Sequence, residues 1–186
     1  MELQPFTLVL VRTSEFHMDK SQLIGILENC LAHWEKYRGE VYFKQNLSSF
    51  PEELHYLKLG VSQIAYFSNV DNSFSITGLG HKRIYSSPKA LDLVQKYIKQ
   101  SPRSRFIGGL RFNQHSPMSE KWESFGEMTF VLPIVSITEQ NDEVLLEVSF
   151  DCDSIDRATN LLKELSDNSS SYIRETNLLS NSSIIN

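Results

Sequence analysis

EMTFVLPIVSITEQNDEVLLEVSF, residues 127–150, is a pair of apolar, β-branched runs joined by Asn141 and Asp142. Val, Ile, Thr and Phe suit a pleated, half-buried surface. An Asn-Asp pair between two such runs tolerates the positive φ that a tight hairpin turn demands. The stretch therefore predicts a β-hairpin. Pro133 lies inside its first arm. Proline brings no N–H to a ladder, so that arm should bend, bulge or lie at a sheet edge.

The next segment upstream is RFIGGLRFN, residues 105–113, a strand-like run with Gly108 and Gly109 at its centre. Glycine weakens a strand, and its presence there signals a bend or a close backbone approach. A phosphate cradle fits poorly, because Leu110, Arg111 and Phe112 continue a strand rather than open a helix. Between this strand and the hairpin runs NQHSPMSEKWESFG, a polar loop with Trp122 and Phe125 embedded in it. After the hairpin, Ile155, Ala158, Leu161, Leu162 and Leu165 recur at helical spacing.

Toward the N-terminus, FTLVLVR (6–12) reads as a strand. Asp19 can cap a helix whose stripe is Leu23, Leu27, Cys30, Leu31 and Trp34, stopped by Gly39. EVYFKQ (40–45) is a second strand, and PEELHYLKLG (51–60) a short helical stretch opened by Pro51. SQIAYFSN and SFSITGLG form a further hairpin candidate around Asp71-Asn72. HKRIYSS (81–87) can continue that meander. Ser87-Pro88 opens a helix with the apolar face Leu91, Val94, Tyr97 and Ile98, ended by Pro102. Strand runs broken by single helices predict an α+β domain over residues 1–166. The Ser/Asn-rich residues 167–186 read as a linker or tail.

Composition fits a globular domain: 186 residues, 40% hydrophobic, 22% charged, formal net charge −5. An acidic chain is a poor match for a nucleic-acid backbone, and His81-Lys82-Arg83, its longest basic run, reads as a solvated loop or strand edge. No apolar run approaches the ~20 residues of a membrane helix. FTLVLV is too short for a signal-peptide core, and Glu2 and Glu15 argue against a transit peptide. Two isolated cysteines, Cys30 and Cys152, form no disulfide framework and point to a reducing compartment, cytoplasm or plastid. The sequons at Asn46, Asn168 and Asn181 would matter only in a secreted chain.

The residues assemble no complete active site. Gly78-Leu79-Gly80 lacks a third glycine and a following helix, so a turn or strand bulge outweighs a dinucleotide site. His17, His33, His55, His81 and His115 stand in no metal-ligand spacing. Glu120, Glu123 and Glu127 flank Trp122 and Phe125, which reads as solvated charge between aromatic anchors rather than paired acid and base. No nucleophile elbow is present.

The segment from Arg105 resembles the front half of isochorismate synthases. That family has a Gly-Gly-x-x-Phe strand, a variable loop, Trp-x-x-Phe and then an aromatic-x-Leu-Pro strand. Here these elements are Gly108, Gly109, Phe112, Asn113, Trp122, Phe125, Phe130, Leu132 and Pro133. Asn113 stands where the family often has Asp. The resemblance spans about residues 6–165, is firm after Arg105, and looks closest to the plant and algal type.

It implies antiparallel sheets with helices packed on one side. It also implies a magnesium-dependent isomerase that adds water at one ring carbon of chorismate and expels the hydroxyl at another. In the family the activating lysine, the acid glutamate and the magnesium-binding glutamates lie in a back half whose motifs are not found in this chain. Catalytic, cofactor-binding and metal-binding residues are therefore assigned to none of its positions. The expected partner is a catalytic chorismate-binding half, covalent or separate. Neither nucleic acid nor membrane is expected, and self-association of the isolated chain is. The alternative is a stand-alone binding or scaffolding module.

Overall fold

A computed structural model describes residues 8–12, 18–49, 61–71, 73–110 and 127–167. The chain runs β1 (Leu8–Arg12), α1 (Lys20–Tyr37), β2 (Val41–Leu47), β3 (Ile64–Ser68), β4 (Phe74–Leu79), β5 (Arg83–Tyr85), α2 (Ala90–Gln100), β6 (Ile107–Leu110), β7 (Met128–Leu132), β8 (Val135–Gln140), β9 (Glu143–Phe150) and α3 (Ile155–Ser166). Six strands form one sheet in the order β1-β2-β9-β8-β4-β3, and three form a second in the order β5-β7-β6. All pairs are antiparallel except β1 with β2, joined in parallel by the α1 crossover. The α+β expectation holds, with this one parallel edge added.

Strand alternation sets the core. Val41, Phe43 and Leu47 of β2, Val144, Leu146, Val148 and Phe150 of β9, and Val135 and Ile137 of β8 are all buried. They meet Leu23, Leu27 and Cys30 of α1 and Ala158, Leu161 and Leu165 of α3 in one cluster. Burying each large aliphatic side chain contributes about 1.5–3 kcal/mol. Asp19 caps α1 through a box: its carboxylate accepts from the Gln22 N–H at 2.8 Å, and the Gln22 side chain accepts from the Asp19 N–H. At the other end Arg38, at φ 55°, is the left-handed cap, one residue before the expected Gly39. The β8–β9 turn has Asn141 at φ 52° and Asp142 at φ 63°, the conformation that this pair was expected to accept.

Three expectations are corrected. The first arm of the 127–150 stretch is not one strand: β7 ends at Leu132, β8 begins at Val135, and they belong to different sheets. Pro133 is the bend at which the chain changes sheet. HKRIYSS does not extend the meander, since β5 pairs with β7 in the second sheet. On α2, Ala90 and Val94 are buried, while Leu91 and Ile98 of the expected apolar face are 40% and 38% exposed. The helix packs on β7 and β5 of the second sheet, and its Tyr97 meets edge-on Phe106, which in turn stacks on Tyr85.

Gly78 lies where the two sheets meet. A Cβ there would fall 2.8 Å from Pro133 Cβ and 2.9 Å from Ile107 Cδ1. In β6, a Cβ on Gly108 would fall 2.1 Å from the Thr129 carbonyl oxygen and 2.7 Å from Phe130 Cα. The close-approach reading of the paired glycines holds at Gly108. The expected helix 51–60, the loop 113–126 with Trp122 and Phe125, and residues 168–186 of the 167–186 tail lie outside the described residues.

Candidate functional site

Gly80, at φ 60°, turns the chain out of β4, and Lys82 falls between the sheets. Lys82 is 1% exposed, the largest fully buried side chain among the described residues. An ammonium is sustained there only if it is paired. Its Nζ lies 2.6 Å from Glu40 Oε1 and 3.5 Å from Asp151 Oδ2, and donates to Ser149 Oγ at 3.1 Å. Arg83 donates to both carboxylate oxygens of Asp151, at 3.3 and 2.9 Å, and to Asp153 at 2.9 Å. Arg157, on α3, donates to the carbonyls of His81, Lys82 and Asp153 at 2.9, 2.9 and 2.7 Å. Of the loop or strand-edge reading of His81-Lys82-Arg83, the strand edge holds for Arg83, which opens edge strand β5, but solvation fails at Lys82. The carboxylates that draw Lys82 and Arg83 inward come from the α1–β2 link and the β9–α3 turn, both far away in sequence. Burial alone would raise the Asp151 carboxyl, but the Ser154 hydroxyl, Lys82 and Arg83 hold it below the ordinary value.

On the far side of Glu40 and Ser149 opens a cleft of about 210 Å³. Tyr42, Glu147, Ser149 and Ser136, from β2, β9 and β8, line it on the sheet face away from the helices. Leu132, Pro133 and Ile134 add an apolar wall, and Arg103 and Arg105, from the α2–β6 segment, stand over it. Glu147 is 9% exposed. It accepts a very short hydrogen bond from the Tyr42 hydroxyl, and its other oxygen is 3.9 Å from Arg105 Nε. The Arg103 guanidinium sits 5.7 Å from the centre of the Tyr42 ring. Burial first, then the hydrogen bond and charge of Glu147, push the Tyr42 phenol well above its ordinary pKa. Tyr42 is thus a neutral donor. The arrangement can hold a polar ligand, but it pairs no nucleophile with a free base.

The candidates from sequence do not converge. Gly78 and Gly80 are structural, with Leu161 and Ile134 side chains closing over Gly80. His33 stacks on Tyr37, and His81 hydrogen-bonds Gln63. Burial pushes the Cys30 thiol up to about 12, and the neighbouring Asp153 charge raises Cys152, so neither is an activated thiol. Glu127 is exposed. His17, His55, Phe112, Asn113, His115, Glu120 and Glu123 lie outside the described residues. Among the described residues no three His, Cys, Asp or Glu side chains gather to hold a metal ion, so these residues do not fit a magnesium centre. Nor is any described helix long and apolar enough to cross a membrane.

Lys82, Glu40, Tyr42, Arg103, Arg105, Glu147, Asp151 and Arg157 were not singled out from the sequence. Glu147 carried a faint signal. It is a carboxylate set inside an apolar strand, flanked by Leu146 and Val148.

Residues 32–184 match the family described as chorismate binding enzyme. The chain belongs to that family. The match runs on into the Ser/Asn-rich stretch. No curated protein matches the sequence. Among solved structures the fold is similar to MenF, the menaquinone-specific isochorismate synthase from Escherichia coli. The TM-score is 0.53 and the identity 16%, over 77% of this chain and 34% of that one. The chain thus spans about a third of the enzyme whose fold it shares.

Proposed function

We propose that this chorismate-binding family chain is the front, non-catalytic portion of an isochorismate synthase. The complete enzyme would convert chorismate to isochorismate with magnesium, feeding menaquinone, phylloquinone or salicylate formation. The chain alone would be inactive, and a catalytic chorismate-binding half, covalent or separate, would complete it. The observation that carries this reading is the partial coverage: 77% of this chain aligns with only 34% of an isochorismate synthase.

Unfinished surfaces support it. Phe67 on edge strand β3 is 49% exposed and Ile84 on edge strand β5 is 46% exposed. Apolar side chains left open at two sheet edges suit a fold continued by further strands. Two free cysteines, one buried and one exposed, suit a reducing compartment such as cytoplasm or plastid. The test is co-expression with a chorismate-binding catalytic half encoded in the same genome. A one-to-one complex that survives gel filtration is expected. Separate elution of the two would overturn the reading.

A further inference from the structure

Charge is sorted along this chain. Between Lys82 and Arg105 the only carboxylate is Asp92, and from Glu139 to Asp156 no lysine or arginine occurs. Part of each excess is consumed where the sheets meet, since Lys82 and Arg83 pair with Asp151, and Arg83 also with Asp153. The remainder lies at opposite ends of the fold.

The basic remainder is on α2. Lys89, Lys96 and Lys99 are exposed on the side of the helix away from buried Ala90 and Val94, where Asp92 offsets one of them. Among the described residues no carboxylate lies within ion-pair distance of these lysines. Leu91 and Ile98, seven residues apart on one flank, and Leu93 on the other stay exposed beside them. This helix packs on the second sheet, which meets the first at Gly78, next to the Leu79–Val135 end of β4 and β8.

The acidic remainder is at the other end of those strands. Phe74 pairs with Gln140 there, so the β3–β4 and β8–β9 turns lie side by side. They carry Asp71, Asp142 and Glu143, all exposed, with no described cation within ion-pair distance. Val70, at the tip of the first turn, is fully exposed. Carboxylates around an apolar tip complement lysines between apolar flanks.

We propose that these two faces dock on one another between copies, the hairpin end of one chain on α2 of the next. The contact is heterologous, so repeating it closes a ring or extends a filament. Both faces belong to this chain, and the inference stands whether or not the front-half reading does.

The test is sedimentation velocity of the full chain at two salt concentrations. Going from about 0.01 M to about 0.15 M shortens the screening length from about 30 Å to about 8 Å, and the parent should associate more weakly at the higher salt. A chain carrying Lys96→Glu and Lys99→Glu, and another carrying Asp142→Asn and Glu143→Lys, should each associate at least about tenfold more weakly at low salt, because the attraction is lost or reversed. Asn accepts the positive φ at position 142. Mixed, the two variants should associate more tightly than either alone, since the unaltered hairpin end of the first meets the unaltered α2 of the second. A parent that stays monomeric at low salt, association that does not weaken with salt, a variant that associates like the parent, or a mixture no tighter than its components would overturn the proposal.

Discussion

The ammonium of Lys82 lies 2.6 Å from the carboxylate of Glu40. This contact ties the link after α1 to the passage between the two sheets. Lys82 is 1% exposed, whereas the Glu40 side chain is 40% exposed. The two partners should therefore respond differently to removal. Lys82→Ala removes the cation shared by Glu40 and Asp151 and the donor to Ser149 and should cost about 3 kcal/mol. Lys82→Met, which keeps the stem, should cost less. Glu40→Gln should cost about 1 kcal/mol or less, because water reaches that carboxylate. Urea unfolding midpoints measure all three.

Gly108 and Gly25 make an opposed pair. A Cβ at Gly108 overlaps the Thr129 carbonyl oxygen at 2.1 Å, backbone that cannot step aside, whereas a Cβ at Gly25 in α1 meets nothing within 4 Å. Gly108→Ala should destabilise by more than about 3 kcal/mol, the upper end for ordinary substitutions. Gly25→Ala should stabilise by about 0.5–1 kcal/mol, the helix cost of glycine. Thermal melts should move in opposite directions.

Acid should act on stability in two steps. Burial, then the Arg157 charge, lowers the His81 pKa, so the unfolded chain takes up the proton first. Stability should fall as pH drops through about 6.5 toward the lower folded value, and no further on this account. Asp151 is also depressed, because Ser154, Lys82 and Arg83 outweigh its burial. Its contribution is complete above about pH 4 and is lost as pH falls through its folded value. Asp151→Asn should flatten the second step and leave the first. Unfolding midpoints across a pH series test both signs.

The exposed apolar edges should make the isolated chain self-associate. Light scattering of the parent should show species larger than the monomer, and Phe67→Ser with Ile84→Lys should shift the population toward monomer. A monodisperse parent across the accessible concentration range would count against open sheet edges as partner surface.

What the sequence made legible was local. The Asn141-Asp142 hairpin, the Asp19 cap and the α1 and α3 stripes follow from turn chemistry and periodicity, which act within a few residues. Pro133 was visible as a disruption, but its consequence, a change of sheet, depends on β5 and β6 pairing with β7 from far upstream. Lys82 was misread for the same reason. Its partners Glu40 and Asp151 lie 42 residues before it and in the β9–α3 turn after it, and no short window contains them. The cleft was unreadable too, since Arg103, Tyr42 and Glu147 meet only when β2 and β9 pair. The resemblance carried by Gly108, Phe130 and Pro133 located the family without locating a site.

The front-half account is tested most directly by isochorismate formation from chorismate and magnesium, followed by chromatography. Three samples are compared: this chain, a catalytic chorismate-binding half from the same genome, and the two together. The account predicts no product from this chain and full turnover only from the pair. Turnover by this chain alone, abolished by a chelator, would contradict it, as would a catalytic half equally active without this chain.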